Sequence, residues 1–366
     1  MKLYYVVNAR MPSEKAHAIQ IAKMCEAFIE AGVDLTLVVP NRKHVKKTPR
    51  EFYSLRVDIP VVYVPTLDLV SFGGYVFQAA SFALSSLLYL TGKKGVIYTV
   101  DMDTFSSSLL PLTGLQVYTE MHNGKPSHLF QRMLFKRVKG VIAVNRLLKE
   151  DLQASFPETK ATYLVEPNGV DTALFSRKDK GEARARLGLS TDAKIALYVG
   201  RFFNWKGLEL IPEAARLLPE VTWHLVGGSE EAFRRVTGKS PEKNMHFTPD
   251  VPQTEVPWWC AAADALLVLG TDKDKQSWRY TSPMKLFEYL YMERPVVATA
   301  TPAIQEIVSA TDSLLVAPGD PNDLAEKVAT AIKGGEGVTR MVGAARVRID
   351  GHTWKARAKR ILAFMS

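Results

Sequence analysis

Apolar positions along the chain gather in short runs, and amphipathic stretches separate them. That alternation predicts strands and helices in turn, hence parallel sheets built from βαβ units. The first unit reads as a strand over 2–8, a helix near 17–31, Gly32 as its C-terminal cap, and a strand over 34–39. Ile19, Ala22, Met24, Cys25, Ala27 and Phe28 stand at helical spacing in that helix. Strands over 60–64, 95–100, 115–120, 140–144 and 162–166 follow, with helices near 75–90 and 127–138 and one closing at Phe156. A second series opens at Ala193, with strands over 194–199, 221–226, 244–247, 264–269, 295–299 and 313–316. Its helices start at Lys206 and Ser282 and lie near 255–262, 321–332 and 352–365. The polar stretch 176–192 reads as the boundary between the two series, with room for a helix in part of it. The expected fold class is therefore α/β, with doubly wound domains over 1–178 and 179–350 and a closing helix over 351–366. Open α/β sheets bind ligands beyond the carboxyl ends of their strands, so the site is expected in the cleft where two such sheets face each other.

Composition narrows the classes. Hydrophobic residues make up 47% and charged residues 23% of 366 positions, which excludes a disordered or collagen-like chain. Cys25 and Cys260 are the only cysteines, too few for a disulfide framework or a four-cysteine zinc site. They fit a reducing, cytoplasmic compartment. The net charge of +9 is uneven: residues 1–178 hold 22 Lys and Arg against 15 Asp and Glu. No zinc finger or RNA-recognition core accompanies that excess, so nucleic acid is not an expected partner.

The start reads as a buried strand and not as a signal peptide, because its apolar run is short and meets Arg10. No charge occurs from Leu69 to Gly92. A spanning helix needs about 20 mostly apolar residues, and Gly73, Gly74, Gln78, Ser81, Ser85 and Ser86 dilute this one. It reads as a buried helix, or as one touching a membrane interface. The basic loop 42–50 and the basic positions Arg132, Lys136, Arg137 and Lys139 suit an anionic surface, such as the inner face of a plasma membrane.

Three segments carry candidate chemistry. In Tyr280-Thr281-Ser282-Pro283-Met284-Lys285-Leu286-Phe287-Glu288, Ser282 suits an N-cap and Pro283 the first helical position. The free amides there form an anion site, and Glu288 lies close enough to accept from a pair of ribose hydroxyls. In Gly200-Arg201-Phe202-Phe203-Asn204-Trp205-Lys206-Gly207, Arg201 and Lys206 suit a diphosphate. In Glu120-Met121-His122, the period of an extended chain puts Glu120 and His122 on one side.

Together these segments resemble a GT-B glycosyltransferase of the retaining family 4. The match runs in order through Pro12-Ser13-Glu14-Lys15-Ala16-His17, Glu120-Met121-His122, Pro167-Asn168-Gly169-Val170-Asp171, Gly200-Arg201 with Lys206-Gly207, and Ser282 to Tyr289. Thr353-Trp354-Lys355-Ala356-Arg357 resembles the closing helix that crosses back to the N-terminal domain. The resemblance implies two Rossmann-like domains and a nucleotide-sugar donor, UDP- or GDP-linked. It implies that Arg201 and Lys206 bind the diphosphate, and Glu288 the ribose. Tyr280, Thr281, Ser282, Pro283, Met284 and Lys285 would cradle phosphates and sugar. His122 would stand by the anomeric centre, and Pro12, Glu14, Lys15 and His17 would meet a glycan or lipid-linked acceptor. It implies no metal and no cofactor, and retention of anomeric configuration without a named protein nucleophile.

The family often carries a glutamate where this chain has Tyr280, which touches donor-sugar choice. Asp101-Met102-Asp103 looks like the metal motif of the other glycosyltransferase fold, GT-A, but that fold lacks a second βαβ domain with Gly200-Arg201 and Lys206. No Walker A run and no dinucleotide fingerprint occurs. Two alternatives share the architecture: a sugar-nucleotide epimerase and a non-catalytic nucleotide-sugar-binding protein.

Overall fold

The computed structural model describes residues 1–42, 47–68, 74–100, 103 and 105–366. Positions 43–46 of the basic loop, 69–73 of the uncharged segment, and Asp101 and Met102 lie outside the described residues. The chain forms two compact units, Met1–Pro167 with Trp354–Ser366, and Asn168–Thr353.

The first unit holds a seven-stranded parallel sheet. Its strands are β1 (Lys2–Val6), β2 (Asp34–Pro40), β3 (Val61–Val64), β4 (Val96–Val100), β5 (Gln116–Met121), β6 (Gly140–Ala143) and β7 (Thr162–Val165), in the order β3-β2-β1-β4-β5-β6-β7. Helices cover both faces of such a sheet, so its strands are apolar on both sides. Leu3, Tyr5 and Val6 are all buried. Tyr5, Tyr98 and Phe28 pack edge to face, with centroids 4.9 to 6.5 Å apart. The last helix, Trp354–Met365, packs on the first, Ala16–Glu30. Tyr118 donates to the Met365 carbonyl at 3.2 Å. Gly140 lets Phe364 approach: a Cβ there would stand 2.7 Å from that ring.

The second unit holds a six-stranded parallel sheet of β8 (Lys194–Val199), β9 (Val221–Val226), β10 (Met245–Thr248), β11 (Ala265–Val268), β12 (Val296–Thr299) and β13 (Leu314–Val316). Its order is β10-β9-β8-β11-β12-β13, so the winding reverses between β8 and β11.

The boundary expected at 178 falls too late. Val170 and Phe175 are buried in the core of the second unit, and the Val170 amide donates to the His352 carbonyl at 2.9 Å. The polar stretch taken as the boundary contains the helix Lys180–Leu187, capped by the Asp179 side chain. Arg184 in it is buried and bonds the Ala262 carbonyl and Asp264. The return to the first unit begins at Trp354.

Among the described residues, no helix is long and apolar enough to cross a membrane. The uncharged segment supplies the helix Tyr75–Leu90. It buries Gln78, Ala79, Phe82, Ala83, Ser86 and Leu90 and leaves Val76, Phe77, Leu84 and Leu88 exposed.

Candidate functional site

In the second unit, the candidate residues gather at the reversal point of the sheet. The loop after β8 leaves through Gly200, at φ +134°, and ends at Gly207, at φ +65°. A Cβ on Gly207 would lie 2.4 Å from the Gly270 carbonyl oxygen, just past β11. Only glycine allows this approach, and it fixes the neighbouring Lys206. The helix expected from Lys206 does not start there. Asn204–Lys206 form a 3-10 turn, Gly207 interrupts, and the α-helix runs over Ile211–Leu217.

The helix Met284–Tyr291 starts one residue later than expected. Its N-cap is Pro283, and no side chain caps its amides. Ser282 is engaged elsewhere. Its hydroxyl accepts from the Asn168 amide at 3.1 Å, and its carbonyl accepts from Asn168 Nδ2 at 2.6 Å. Asn168 thus ties the Pro-Asn-Gly block to this helix entry. The sequence showed the block but not the tie.

Lys285 turns its Nζ to within 3.1 Å of where a Cβ on Gly200 would stand. That nitrogen is buried, and among the described residues it has no hydrogen-bond partner. It rests 3.5 Å from the centroid of the Tyr198 ring. Burial holds its pKa well below the ordinary lysine value, Lys206 depresses it further, and Glu288 works against both. Lys206 lies 3.7 Å from the Trp205 ring centroid, and burial pushes its pKa down to about 7. Glu288 is pushed up to about 7 by burial, with Lys285 pulling it down and Asp171 pushing it further up. Among the described residues, two lysine nitrogens lacking oxygen partners, a carboxyl titrating near neutrality and helix amides without a side-chain cap therefore share one neighbourhood. Lysines and free helix amides so placed can receive an anion, and a carboxylate beside them can accept from hydroxyls.

Arg201 forms an ion pair with Asp250 at 3.5 Å. Tyr280 is buried at the end of the turn Gln276–Tyr280, 5.3 Å below Lys275 Nζ, and Thr281 is buried beside it.

In the first unit, His122 follows β5 and its Nε2 lies 2.6 Å from Glu120 Oε1. Glu120 is fully buried. Arg357 meets it at 3.0 Å, Gln20 donates to it at 2.9 Å, and Tyr98 donates to its other oxygen. Burial alone would raise the Glu120 pKa. Arg357, His122 and Tyr98 outweigh that and pull it down to about 2. Arg357 was not among the expected site residues. Nothing local in the sequence marks it, because its partner lies on a strand far up the chain.

In the N-terminal loop, Pro12 is buried, Glu14 and Lys15 are exposed, and His17 is half-buried in the first turn of Ala16–Glu30. Arg10 reaches Glu14 at 3.4 Å. Tyr53 holds the loop by accepting from the Ser13 amide at 2.7 Å and donating to its carbonyl at 2.8 Å. Asp103, from the Asp-x-Asp run, accepts from Asn8, Tyr75 and the amides of Phe105 and Ser106, so its carboxylate shapes a turn.

The two sheets and their strand orders define a GT-B fold. A solved structure of Anabaena HepE in complex with UDP matches it at TM-score 0.73 and 17% identity, covering all of this chain and 99% of that one. TuaC of Bacillus subtilis, named as a teichuronic acid biosynthesis glycosyltransferase, is 26% identical over 90% of this chain and 88% of its own length. A D-inositol 3-phosphate glycosyltransferase of Nocardioides is 27% identical, and the match spans about half of each protein, 53% of this chain and 46% of that relative. The chain is a glycosyltransferase. Residues 193–333 match the family described as glycosyl transferases group 1.

Proposed function

We propose that the protein is a retaining, metal-independent glycosyltransferase. It moves a sugar from a UDP- or GDP-linked donor to a glycan or lipid-linked acceptor in cell-surface polysaccharide or glycolipid assembly. The observation that carries the donor reading is Lys285 Nζ, buried beside Lys206 and Glu288 with no hydrogen-bond partner among the described residues. A buried ammonium left in that state is costly unless an anion completes it. The names of two similar proteins support the chemistry: TuaC for polysaccharide, and HepE, whose structures hold UDP and UDP-glucose.

In this reading Lys206, Lys285 and Arg201 receive the diphosphate, and Glu288 accepts from the ribose hydroxyls. Tyr280 to Met284 line the phosphates and sugar. His122 contacts sugar hydroxyls, and Pro12, Glu14, Lys15 and His17 meet the acceptor. Transfer breaks the bond from the anomeric carbon to the diphosphate oxygen and forms one to an acceptor hydroxyl oxygen. Negative charge grows on the leaving diphosphate, where fixed cations act most strongly. Retention and metal independence rest on the family resemblance and on that cation set.

The exposed Val76, Phe77, Leu84 and Leu88 support peripheral contact with an anionic membrane, as do the exposed Lys136, Arg137 and Lys139. Sedimentation with anionic vesicles at low salt tests that part, and an unbound protein would remove it.

The main test is a thermal-shift screen against UDP, GDP, ADP and their sugar conjugates in EDTA. A ligand at about 100 times its Kd adds roughly 2.7 kcal/mol of stability. One responding nucleotide, with the response lost in Glu288→Ala, supports the reading. No response to any of them counts against it. Donor consumption without acceptor would favour an epimerase.

A further inference from the structure

Buried cations in this chain mostly rest on oxygen. Lys23 meets Glu26 at 3.2 Å, Arg184 meets Asp264 at 2.9 Å, and Arg357 meets Glu120 at 3.0 Å. The two lysines of the anion site differ. Lys285 lies 3.5 Å from the Tyr198 ring centroid and Lys206 3.7 Å from that of Trp205. Among the described residues, neither has a carboxylate within ion-pair distance.

The difference is chemical. A carboxylate partner cancels the charge of an ammonium and must be displaced before an anion can bind. A ring face attracts the ammonium through its quadrupole, carries no net charge and cannot follow the ligand. It also offsets part of the desolvation that drives a buried lysine toward its neutral form.

Both rings are themselves held. Tyr198 is fully buried on β8, and its hydroxyl donates to the Arg201 carbonyl at 3.2 Å, at the turn that opens the site. Trp205 lies nearly parallel to Phe203, with centroids 5.9 Å apart and planes inclined by 13°. It occupies the same 3-10 turn as Lys206, closed by Gly207.

We propose that Tyr198 and Trp205 are positioning residues of the anion site, whose ring faces hold Lys285 and Lys206 in place and leave their positive charge uncompensated for a diphosphate. This rests on the donor-site reading above. The roles follow from the ring face, so phenylalanine serves at either position and an aliphatic side chain does not.

The test is calorimetric titration of UDP, GDP and inorganic pyrophosphate into the wild type and into Trp205→Phe, Trp205→Leu, Tyr198→Phe and Tyr198→Leu. Circular dichroism checks each fold. Trp205→Leu is expected to weaken the bound nucleotide and pyrophosphate alike, by about tenfold, and Trp205→Phe to restore both to within about threefold. Tyr198→Phe behaves as wild type. Tyr198 is a core residue, so if Tyr198→Leu does not fold, the Trp205 pair decides. Wild-type affinity in Trp205→Leu, with binding lost in Lys206→Ala, overturns the role of the rings and keeps the donor site. Equal weakening in Trp205→Phe and Trp205→Leu also overturns it, because the requirement is then for indole and not for a ring face. A wild type that binds none of the three removes the donor site, and this proposal with it.

Discussion

Arg357 and Glu120 face each other at 3.0 Å, and neither side chain is exposed to solvent. Arg357 also donates to the Pro167 and Glu166 carbonyls, at 2.7 and 3.2 Å. Removing one partner of such a pair leaves an uncompensated buried charge. Arg357→Met is expected to destabilise the protein by about 3–5 kcal/mol in urea unfolding. Adding Glu120→Gln should return part of that loss. An unchanged midpoint in the single variant would contradict the geometry.

The same pair sets an acid limit. Glu120 titrates near 2 in the folded protein against an ordinary 4.5. A lowered carboxyl stabilises the fold fully above its unfolded value. That stabilisation, about 3 kcal/mol, is lost as pH falls through 4.5 toward 2. Unfolding midpoints measured between pH 5 and pH 2.5 should therefore drop less steeply in Glu120→Gln than in the wild type, from a lower starting stability.

Lys285 makes the opposite case. Its nitrogen is buried without a partner among the described residues, and burial holds its pKa well below the ordinary lysine value, so the residue works against the fold. Lys285→Met, close in volume, is expected to raise the melting temperature by about 2–4 °C for each kcal/mol recovered, and to abolish nucleotide binding. Lower stability together with intact binding would show that Lys285 serves the fold and not the ligand.

Lys206 carries a pH signature. With its empty-site pKa pushed down to about 7, it is largely neutral by pH 9. A bound diphosphate draws it back toward its ordinary value, so binding takes up a proton. Affinity for UDP or GDP should fall as pH rises from 7.5 to 9, by up to about tenfold per unit. Lys206→Arg should flatten the profile, since arginine stays charged. A flat wild-type profile would place Lys206 away from the phosphates.

Gly207→Ala tests the loop itself. The new Cβ would meet the Gly270 oxygen at 2.4 Å, and the backbone sits at φ +65°. The loop must move, carrying Lys206 with it. Nucleotide binding is expected to drop more than a hundredfold, while the sheet, read by far-ultraviolet circular dichroism, stays intact.

The architecture was largely legible. Apolar runs bounded by turns located all thirteen described strands, because strands buried on both faces are the least ambiguous pattern in a chain. Helices with few buried positions were less visible. Glu230–Thr237 buries only Phe233, and Lys180–Leu187 lay in a polar stretch read as the domain boundary with room for a helix but no bounds for one. The motifs also singled out Lys206, Lys285 and Glu288, which the fold brings into one neighbourhood. Their surroundings were not legible. Ser282 looked like a cap because Asn168, which takes its hydroxyl, is remote in sequence. Tyr198 and Trp205 looked like core and loop residues, since a ring acquires a cation only once the chain folds.

The return of the chain to its first unit bears on how the molecule is made. Residues 168–353 are continuous and carry the lysines, so the ribosome delivers that unit in one piece. The first unit is not delivered that way. Its sheet is synthesised early, but Tyr118 waits 247 residues for the Met365 carbonyl, and Glu120 lacks its arginine until Arg357 emerges. The His122 side of the protein is therefore its last part to mature. A chain stopped short of Trp354 would hold a complete second unit and an unfinished first one.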